Sequence, residues 1–125
     1  MTKKYDVYKC NECGAMHQAV RDGAGDPVCC GKTMVRMKDN FVDAATEKHV
    51  PVVNKIDDKK IEVTVGEVEH PMEDVHYIEW IEVRTETVSI RKFLKPGERP
   101  HRIFNVPNAE YEVRAYCNIH GLWKA

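Results

Sequence analysis

The sequence lacks a long apolar run. No stretch is apolar for long enough to span a bilayer or to form the core of a signal peptide. The first six residues are polar and lead straight into strand-like sequence. We therefore expect a cytoplasmic protein that does not interact with membranes.

The sequence also lacks an excess of charge of one sign. Its 19 lysines and arginines nearly balance its 20 aspartates and glutamates, which gives a formal net charge of -1. Proteins that bind nucleic acids need a basic stripe or patch. The composition therefore argues against a nucleic-acid partner.

Helical periodicity is missing too, because no stretch repeats its apolar residues at the spacing of an amphipathic helix. Ile61, Val63 and Val65 instead alternate with polar residues, as in a half-buried strand. The same reasoning gives further strand candidates at residues 5–9, 77–83, 85–94, 102–106 and 111–117. We predict an all-β chain in which a β-sandwich over residues 38–125 follows a small unit over residues 1–37.

Only five cysteines are present, and four of them lie in the first 30 residues. Cys10 and Cys13 have the spacing that lets a tight loop place two thiolates on one metal. Cys29 and Cys30 are adjacent, so they can join that metal only if the backbone turns sharply, which Gly31 makes easy. Four thiolates suit zinc or iron. A disulfide pair and a structural zinc without a redox role are the alternatives.

Five further residues are candidate ligands of a second metal. Cys117 and His120 form a compact pair, with a thiolate at a strand end and an imidazole three residues later. His70 and His76 flank a short loop, and His49 lies at the entry to the sandwich. A single histidine in a β domain is usually structural or solvated, so only the Cys-x-x-His pair favours a metal by itself.

These motifs resemble those of the desulfoferrodoxin-type superoxide reductases. The similarity runs across essentially the whole chain, and its motifs follow the order of that family. The matching segments are Glu47-Lys48-His49-Val50-Pro51, His70-Pro71-Met72-Glu73 leading to His76, and Cys117-Asn118-Ile119-His120-Gly121. The N-terminal cysteine set resembles the desulforedoxin-like domain of the two-iron members.

The resemblance implies a desulforedoxin-like domain over residues 1–37 and an immunoglobulin-like β-sandwich over residues 38–125. It implies two iron ions per chain. The first iron would be held by Cys10, Cys13, Cys29 and Cys30, and the second by equatorial His49, His70, His76 and His120 with axial Cys117.

The implied activity is the one-electron reduction of superoxide to hydrogen peroxide at a ferrous centre, without oxygen evolution. Such an oxidoreductase would detoxify superoxide under oxidative stress. It would draw electrons from a rubredoxin-like donor and is commonly a homodimer. An electron-transfer protein with two iron centres and no substrate is the main alternative, and a zinc-binding interaction module is another.

Two residues beside His49 are candidate catalytic residues. The resemblance implies that Lys48 guides superoxide and helps to deliver a proton through water. It also implies that Glu47 supplies a carboxylate to the oxidised iron after peroxide leaves. A solvated surface side chain is the alternative for each.

Overall fold

The computed structural model describes residues 1–42, 48–106 and 110–125. Every regular element in these residues is a β-strand, which confirms the all-β prediction. The chain divides into two compact units, Met1–Lys38 and Asp39–Ala125. Within the described residues, no helix is long and apolar enough to cross a membrane.

The first unit is built from five very short strands. They are β1 (Val7–Lys9), β2 (Met16–Gln18), β3 (Val28–Cys29), β4 (Lys32–Thr33) and β5 (Val35–Arg36). Strand β1 lies between β2 and β5 in one antiparallel sheet, and β3 and β4 form a hairpin. A small cluster of Tyr8, Cys10 and Met34 forms its buried core. So small a core cannot stabilise a unit of this length by apolar burial alone.

The second unit is a sandwich of two antiparallel sheets. Its strands are β6 (Pro51–Asp57), β7 (Lys60–Val65), β8 (Ile78–Arg84), β9 (Ser89–Phe93), β10 (His101–Asn105), β11 (Glu112–Cys117) and β12 (Gly121–Lys124). One sheet has the order β10-β7-β6 and the other the order β12-β11-β8-β9. Seven antiparallel strands in two packed sheets is the architecture of immunoglobulin-like domains, as predicted.

The core lies between the two sheets. Ile61, Val63 and Val65 of β7 point inward, as their alternation predicted, and they belong to one buried cluster with Val113 and Ala115 of β11. Strands β6 and β12 were not predicted. The apolar start of β6 gives way to an exposed polar end, and β12 has only four residues, so neither shows a clear alternation.

A bulge lies at the end of β11. Tyr116 pairs with Trp80, but Cys117 pairs with Ile78, so β8 contributes one extra residue at this point. Bulges of this kind redirect side chains and are common beside functional sites. Cys117 remains on the core side of β11 and is completely buried.

The edge strands β9 and β10 are linked by hydrogen bonds from their cationic side chains to each other's backbone carbonyls. The ammonium of Lys92 on β9 donates a hydrogen bond to the carbonyl of Ile103 on β10. The guanidinium of Arg102 on β10 donates to the carbonyl of Phe93 at 2.9 Å. Side chains therefore join the two sheets along this margin of the sandwich.

Candidate metal centres

The first unit brings the sulfur atoms of Cys10, Cys13, Cys29 and Cys30 within 4.8 Å of one another. The sulfurs of Cys13 and Cys29 are 3.7 Å apart, and those of Cys29 and Cys30 are 3.9 Å apart. Tetrahedral bonds of ~2.3 Å would place sulfurs ~3.8 Å apart. All five cysteines of the chain are free, so the structure has no disulfide alternative.

The backbone turns of this unit explain how the sulfurs converge. Cys30 and Gly31 both have positive φ angles, 53° and 73°, so the chain reverses immediately after Cys29. The sequence predicted a sharp turn at Gly31, but not that Cys30 would share the left-handed conformation. On the other side, Gly14 has a φ angle of 80° and donates to the Cys10 carbonyl at 2.9 Å, which closes the turn through Cys13.

The thiols of Cys10 and Cys29 have pKa values shifted in opposite directions. The backbone N–H of Cys13 is the main cause that lowers the pKa of Cys10 to about 7. The pKa of Cys29 is raised to about 12, chiefly because its thiol hydrogen-bonds the sulfurs of Cys10 and Cys13. Crowded thiolates repel one another, and a bound cation removes that repulsion. The donor set therefore fits a metal ion.

The second unit brings together five donors that lie far apart in sequence. Their ligand atoms all lie within 4.8 Å of one another. His49 precedes β6, His70 and His76 lie in the connection between β7 and β8, Cys117 ends β11, and His120 lies in the turn before β12. The structure thus places all nine predicted ligands in two clusters.

The four imidazole rings form a closed cycle. The centroid separations are 5.0 Å for His49–His70, 4.7 Å for His70–His76, 5.0 Å for His76–His120 and 4.8 Å for His120–His49. Neighbouring rings are steeply inclined, at 65° to 83°. His49 therefore lies opposite His76, and His70 lies opposite His120. Such a cycle leaves a central position that four nitrogens can share.

The ring nitrogens that face the cluster can be identified. The Nδ1 of His70 hydrogen-bonds the Pro71 carbonyl at 2.7 Å, which leaves its Nε2 to act as a ligand. The buried Nε2 atoms of His70 and His76 have no hydrogen-bond partner among the described residues. The Nε2 of His49 lies 3.1 Å from the Nδ1 of His120. Buried polar atoms normally have partners, so two orphaned nitrogens in one cluster fit a metal ion.

The buried histidines favour the neutral state that metal binding requires. Burial is the main cause that lowers the pKa of His70 to about 4. The pKa of His76 is also lowered, first by burial and then by the positive charge that His120 and His49 would carry when protonated. Both rings are thus prepared to bind a metal near neutral pH.

Cys117 supplies a completely buried sulfur beside the imidazoles. Its Sγ lies 3.8 Å from the Nδ1 of His120 and accepts a hydrogen bond from the His120 N–H at 3.4 Å. Burial raises the pKa of the Cys117 thiol, while the N–H groups of His120 and Ile119 act against that shift. A bound cation would favour the thiolate, because coordination deprotonates a thiol.

Asn118 is a supporting residue that the sequence analysis did not assign. Its Oδ1 accepts from the Tyr77 N–H at 2.9 Å, and its Nδ2 donates to the Val75 carbonyl at 3.1 Å. Its own N–H donates to the Tyr77 carbonyl at 3.2 Å. The residues on both sides of His76 are therefore tied to the turn that follows Cys117. Its position within the Cys-x-x-His motif was the available signal.

Gly66 and Trp123 were also missed. Gly66 has a φ angle of 87°, and an added Cβ would lie 2.6 Å from the Lys48 carbonyl oxygen. Only glycine lets the chain pass so close to the segment that leads into His49. The indole of Trp123 stacks on the His49 ring. Neither contact is visible without the tertiary structure.

Of the two candidate catalytic residues, the structure describes Lys48 but not Glu47. Lys48 is partly buried, and its positive charge is among the causes that lower the pKa of His76. Lys48 therefore lies within electrostatic reach of the histidine cluster. Glu47 lies outside the described residues.

Comparison with known proteins gives a consistent result along the whole chain. Residues 41–125 match the family described as Desulfoferrodoxin, and residues 2–37 match its N-terminal domain. The chain is 48% identical over 125 residues to a desulfoferrodoxin of Nitratidesulfovibrio vulgaris, covering 100% of this chain and 98% of that protein. It is also 48% identical to a desulfoferrodoxin homolog of Archaeoglobus fulgidus, covering 100% and 99%.

A solved structure extends the similarity to three dimensions. The crystal structure of the superoxide reductase from Treponema pallidum matches with a TM-score of 0.81 and 28% identity, covering 99% of each chain. The four-sulfur cluster and the cluster of four imidazoles with one thiolate fit the two iron centres of the two-iron proteins. The chain belongs to the desulfoferrodoxin family.

Proposed function

We propose that the protein is a superoxide reductase, which reduces superoxide by one electron to hydrogen peroxide without releasing oxygen. The observation that carries the proposal is the closed cycle of four imidazoles beside a completely buried thiol. The structural relative from Treponema pallidum, which matches over 99% of this chain, is a superoxide reductase. The four imidazoles and one thiol of the second cluster also suit redox-active iron.

The five donors of the second cluster have distinct proposed positions. His49, His70, His76 and His120 would hold one iron through their imidazoles, and Cys117 would hold the same iron through its thiolate. From the inward nitrogens, the first three would bind through Nε2, whereas His120 would bind through Nδ1. The sulfur of Cys117 is fully buried whereas His120 is exposed, so a small anion would approach the cluster from its exposed face. Cys10, Cys13, Cys29 and Cys30 would hold the first iron.

Ferrous iron in the second site would supply the single electron that converts superoxide, with two protons, into hydrogen peroxide. Lys48 would act on the substrate before that step. Superoxide is an anion, and a positive charge beside the open face raises its local concentration and its rate of encounter. The positive charge of Lys48 is among the causes that lower the pKa of His76, which supports its closeness to the histidine cluster.

The proposed reaction also involves proton delivery to the product and a carboxylate beside the oxidised iron. We propose that Lys48 also helps to move a proton to the departing peroxide through water, since its ammonium is a donor. For Glu47 we propose a carboxylate that would help to hold the iron in its oxidised state, once the product has left. A hard oxygen ligand suits such a role. Both assignments rest on the sequence motif that leads into His49.

The electron consumed in each turnover must be replaced from outside. We propose a rubredoxin-like donor and a homodimeric protein in the cytoplasm, as the resemblance implied. The iron in the first unit would serve chiefly to fold that unit, because the buried core there is only the small cluster around Tyr8. Relay of electrons by that iron is the alternative.

The deciding experiment mixes the anaerobically reduced protein with superoxide and measures both products. A superoxide reductase yields one hydrogen peroxide for each superoxide consumed and no oxygen. One oxygen for every two superoxide molecules would instead indicate a dismutase, and slow oxidation of the protein would indicate an electron carrier. In parallel, Cys117→Ser should abolish the thiolate-to-iron absorption of the second site. Survival of that band would exclude Cys117 as a ligand.

A further inference from the structure

Trp123 contacts two neighbouring members of the histidine cluster at once. Its indole lies flat on the His49 ring, with centroids 4.6 Å apart and planes inclined by only 19°. Its Nε1–H donates to the backbone carbonyl of His120 at 3.1 Å. The facing nitrogens of these two histidines are themselves 3.1 Å apart. One side chain therefore touches the face of one donor and the backbone of the next.

The stacking contact restrains the χ2 torsion of His49, which has only weak intrinsic preferences. Rotation of a histidine ring about χ2 has broad minima, so the ring alone does not choose one orientation. A flat aromatic neighbour disfavours orientations that tilt the imidazole away from it. The Pro71 carbonyl restrains the ring of His70 through its Nδ1, whereas the Asn118 hydrogen bonds fix only the backbone on either side of His76. For His49, the indole supplies this restraint on the ring plane.

Trp123 is itself held by a rigid element. It lies on β12, where it pairs with Ala115 of β11, a completely buried core residue. On the other side of β12, Asn40 accepts from the Lys124 N–H at 2.7 Å and donates to the Leu122 carbonyl through both its backbone and its side chain. A strand fixed along both sides can hold a supporting side chain precisely enough to orient a ligand.

We propose that Trp123 is a positioning residue for the second metal centre. It fixes the ring plane of His49 and, through the carbonyl of His120, the turn that carries the Nδ1 donor. Two adjacent imidazoles then meet the metal without rearrangement. The inference rests on the proposed function only in requiring that this cluster binds iron, and it assigns Trp123 no contact with metal or substrate.

The test compares Trp123→Leu with Trp123→Phe in the full-length, iron-loaded protein. Leucine removes the stack, so ferrous iron should bind the second site about 10–100-fold more weakly in competition with a chelator. The electron paramagnetic resonance (EPR) lines of the oxidised second site should also broaden. Phenylalanine keeps a flat face on His49 but loses the N–H donor to the His120 carbonyl, so its iron affinity and line width should lie between those of the wild type and the leucine variant. The absorption of the four-cysteine centre in the same molecule is the internal control.

Trp80→Leu is the matched control. Trp80 stacks on Tyr116 at 5.8 Å and lies 4.4 Å below the guanidinium of Arg91, so its loss should lower Tm but leave the second centre unchanged. Wild-type iron affinity and line shape in Trp123→Leu, whatever its Tm, would overturn the proposal. If the leucine variant does not fold, wild-type iron affinity and wild-type line width in Trp123→Phe would overturn the proposal, because that variant lacks the hydrogen bond to the His120 carbonyl.

The two proposals can fail separately. A wild-type protein that binds iron at the second site but produces no peroxide from superoxide would refute the proposed function alone. A wild-type protein that reduces superoxide, together with an unperturbed Trp123→Leu centre, would refute the positioning role alone.

Discussion

The two clusters show opposite relations between a metal centre and its fold. The four cysteines lie between residues 10 and 30, and Cys10 belongs to the small buried core of its own unit. The donors of the second cluster come from positions 49 to 120 and are gathered by a sandwich that has a large core of its own. In the first case we expect the metal to stabilise the fold. In the second case the fold supplies the geometry for the metal.

Metal removal should have the largest effect, because it should unfold one unit and not the other. Binding of a structural metal contributes roughly 10–16 kcal/mol in small zinc domains, far more than the buried core of residues 1–38 can offer. We expect Cys13→Ser, or complete chelation, to unfold the first unit while the sandwich remains folded. Limited proteolysis should then remove the first unit and leave residues 39–125. A protease-resistant first unit without metal would contradict the comparison.

Gly66→Ala tests whether the close approach of Gly66 to the Lys48 backbone shapes the second site. Gly66 and Gly97 have nearly the same φ angle, 87° and 86°, but only Gly66 lies against backbone oxygens, those of Val68 and Lys48. Gly97→Ala should cost about 1 kcal/mol of unfolding free energy from left-handed strain. Gly66→Ala should cost about 3 kcal/mol or more, because the Lys48 segment must also move. It should weaken iron binding as well. Equal losses in urea unfolding would show that the close contact is unimportant.

Acid should destabilise the metal-free sandwich through His70. Its pKa falls from the ordinary 6.5 to about 4 in the fold, so between these values the unfolded chain binds the proton more readily. Stability is therefore highest above pH 6.5 and decreases as the pH falls towards 4, by up to about 3 kcal/mol. Urea unfolding of the metal-free protein at pH 7 and pH 5 measures this loss. His70→Gln should flatten the dependence, and an unchanged slope would assign it to other groups.

Lys48→Ile should have the smallest effect and should spare both folds. Removal of one steering charge should slow the encounter with superoxide by about tenfold, equivalent to ~1.4 kcal/mol, and should reduce its dependence on salt. Tm and both iron spectra should not change. Stopped-flow mixing at two ionic strengths measures the effect. A wild-type rate in the variant would remove the steering role of Lys48.

Local patterns were sufficient for much of the fold and for the donor sets. The alternation of Ile61, Val63 and Val65 predicted both the strand and its inward face, because side chains in a strand alternate between its two sides. The Cys-x-x-His spacing predicted a compact pair of donors, and the structure shows the two residues in a turn closed by the bond from the His120 N–H to the Cys117 sulfur. These features depend on neighbours within a few residues.

The features that were missed depend on distant segments. Gly66 needs the Lys48 segment beside it, and the partner of Trp123 lies 74 positions earlier, at His49. The bulge opposite Cys117 arises from the pairing of β8 with β11, which no single strand reveals. Pattern analysis thus identified the donors but not the residues that hold them in place.

The hydrogen bonds from Lys92 and Arg102 between the edge strands β9 and β10 have a consequence for assembly. Exposed sheet edges are templates on which a strand from another molecule can add, and charged side chains at such edges discourage that association. Lys92 and Arg102 occupy carbonyls that an incoming strand would need. These two contacts therefore make this flank of the sandwich a poor template for pairing with a strand of another molecule.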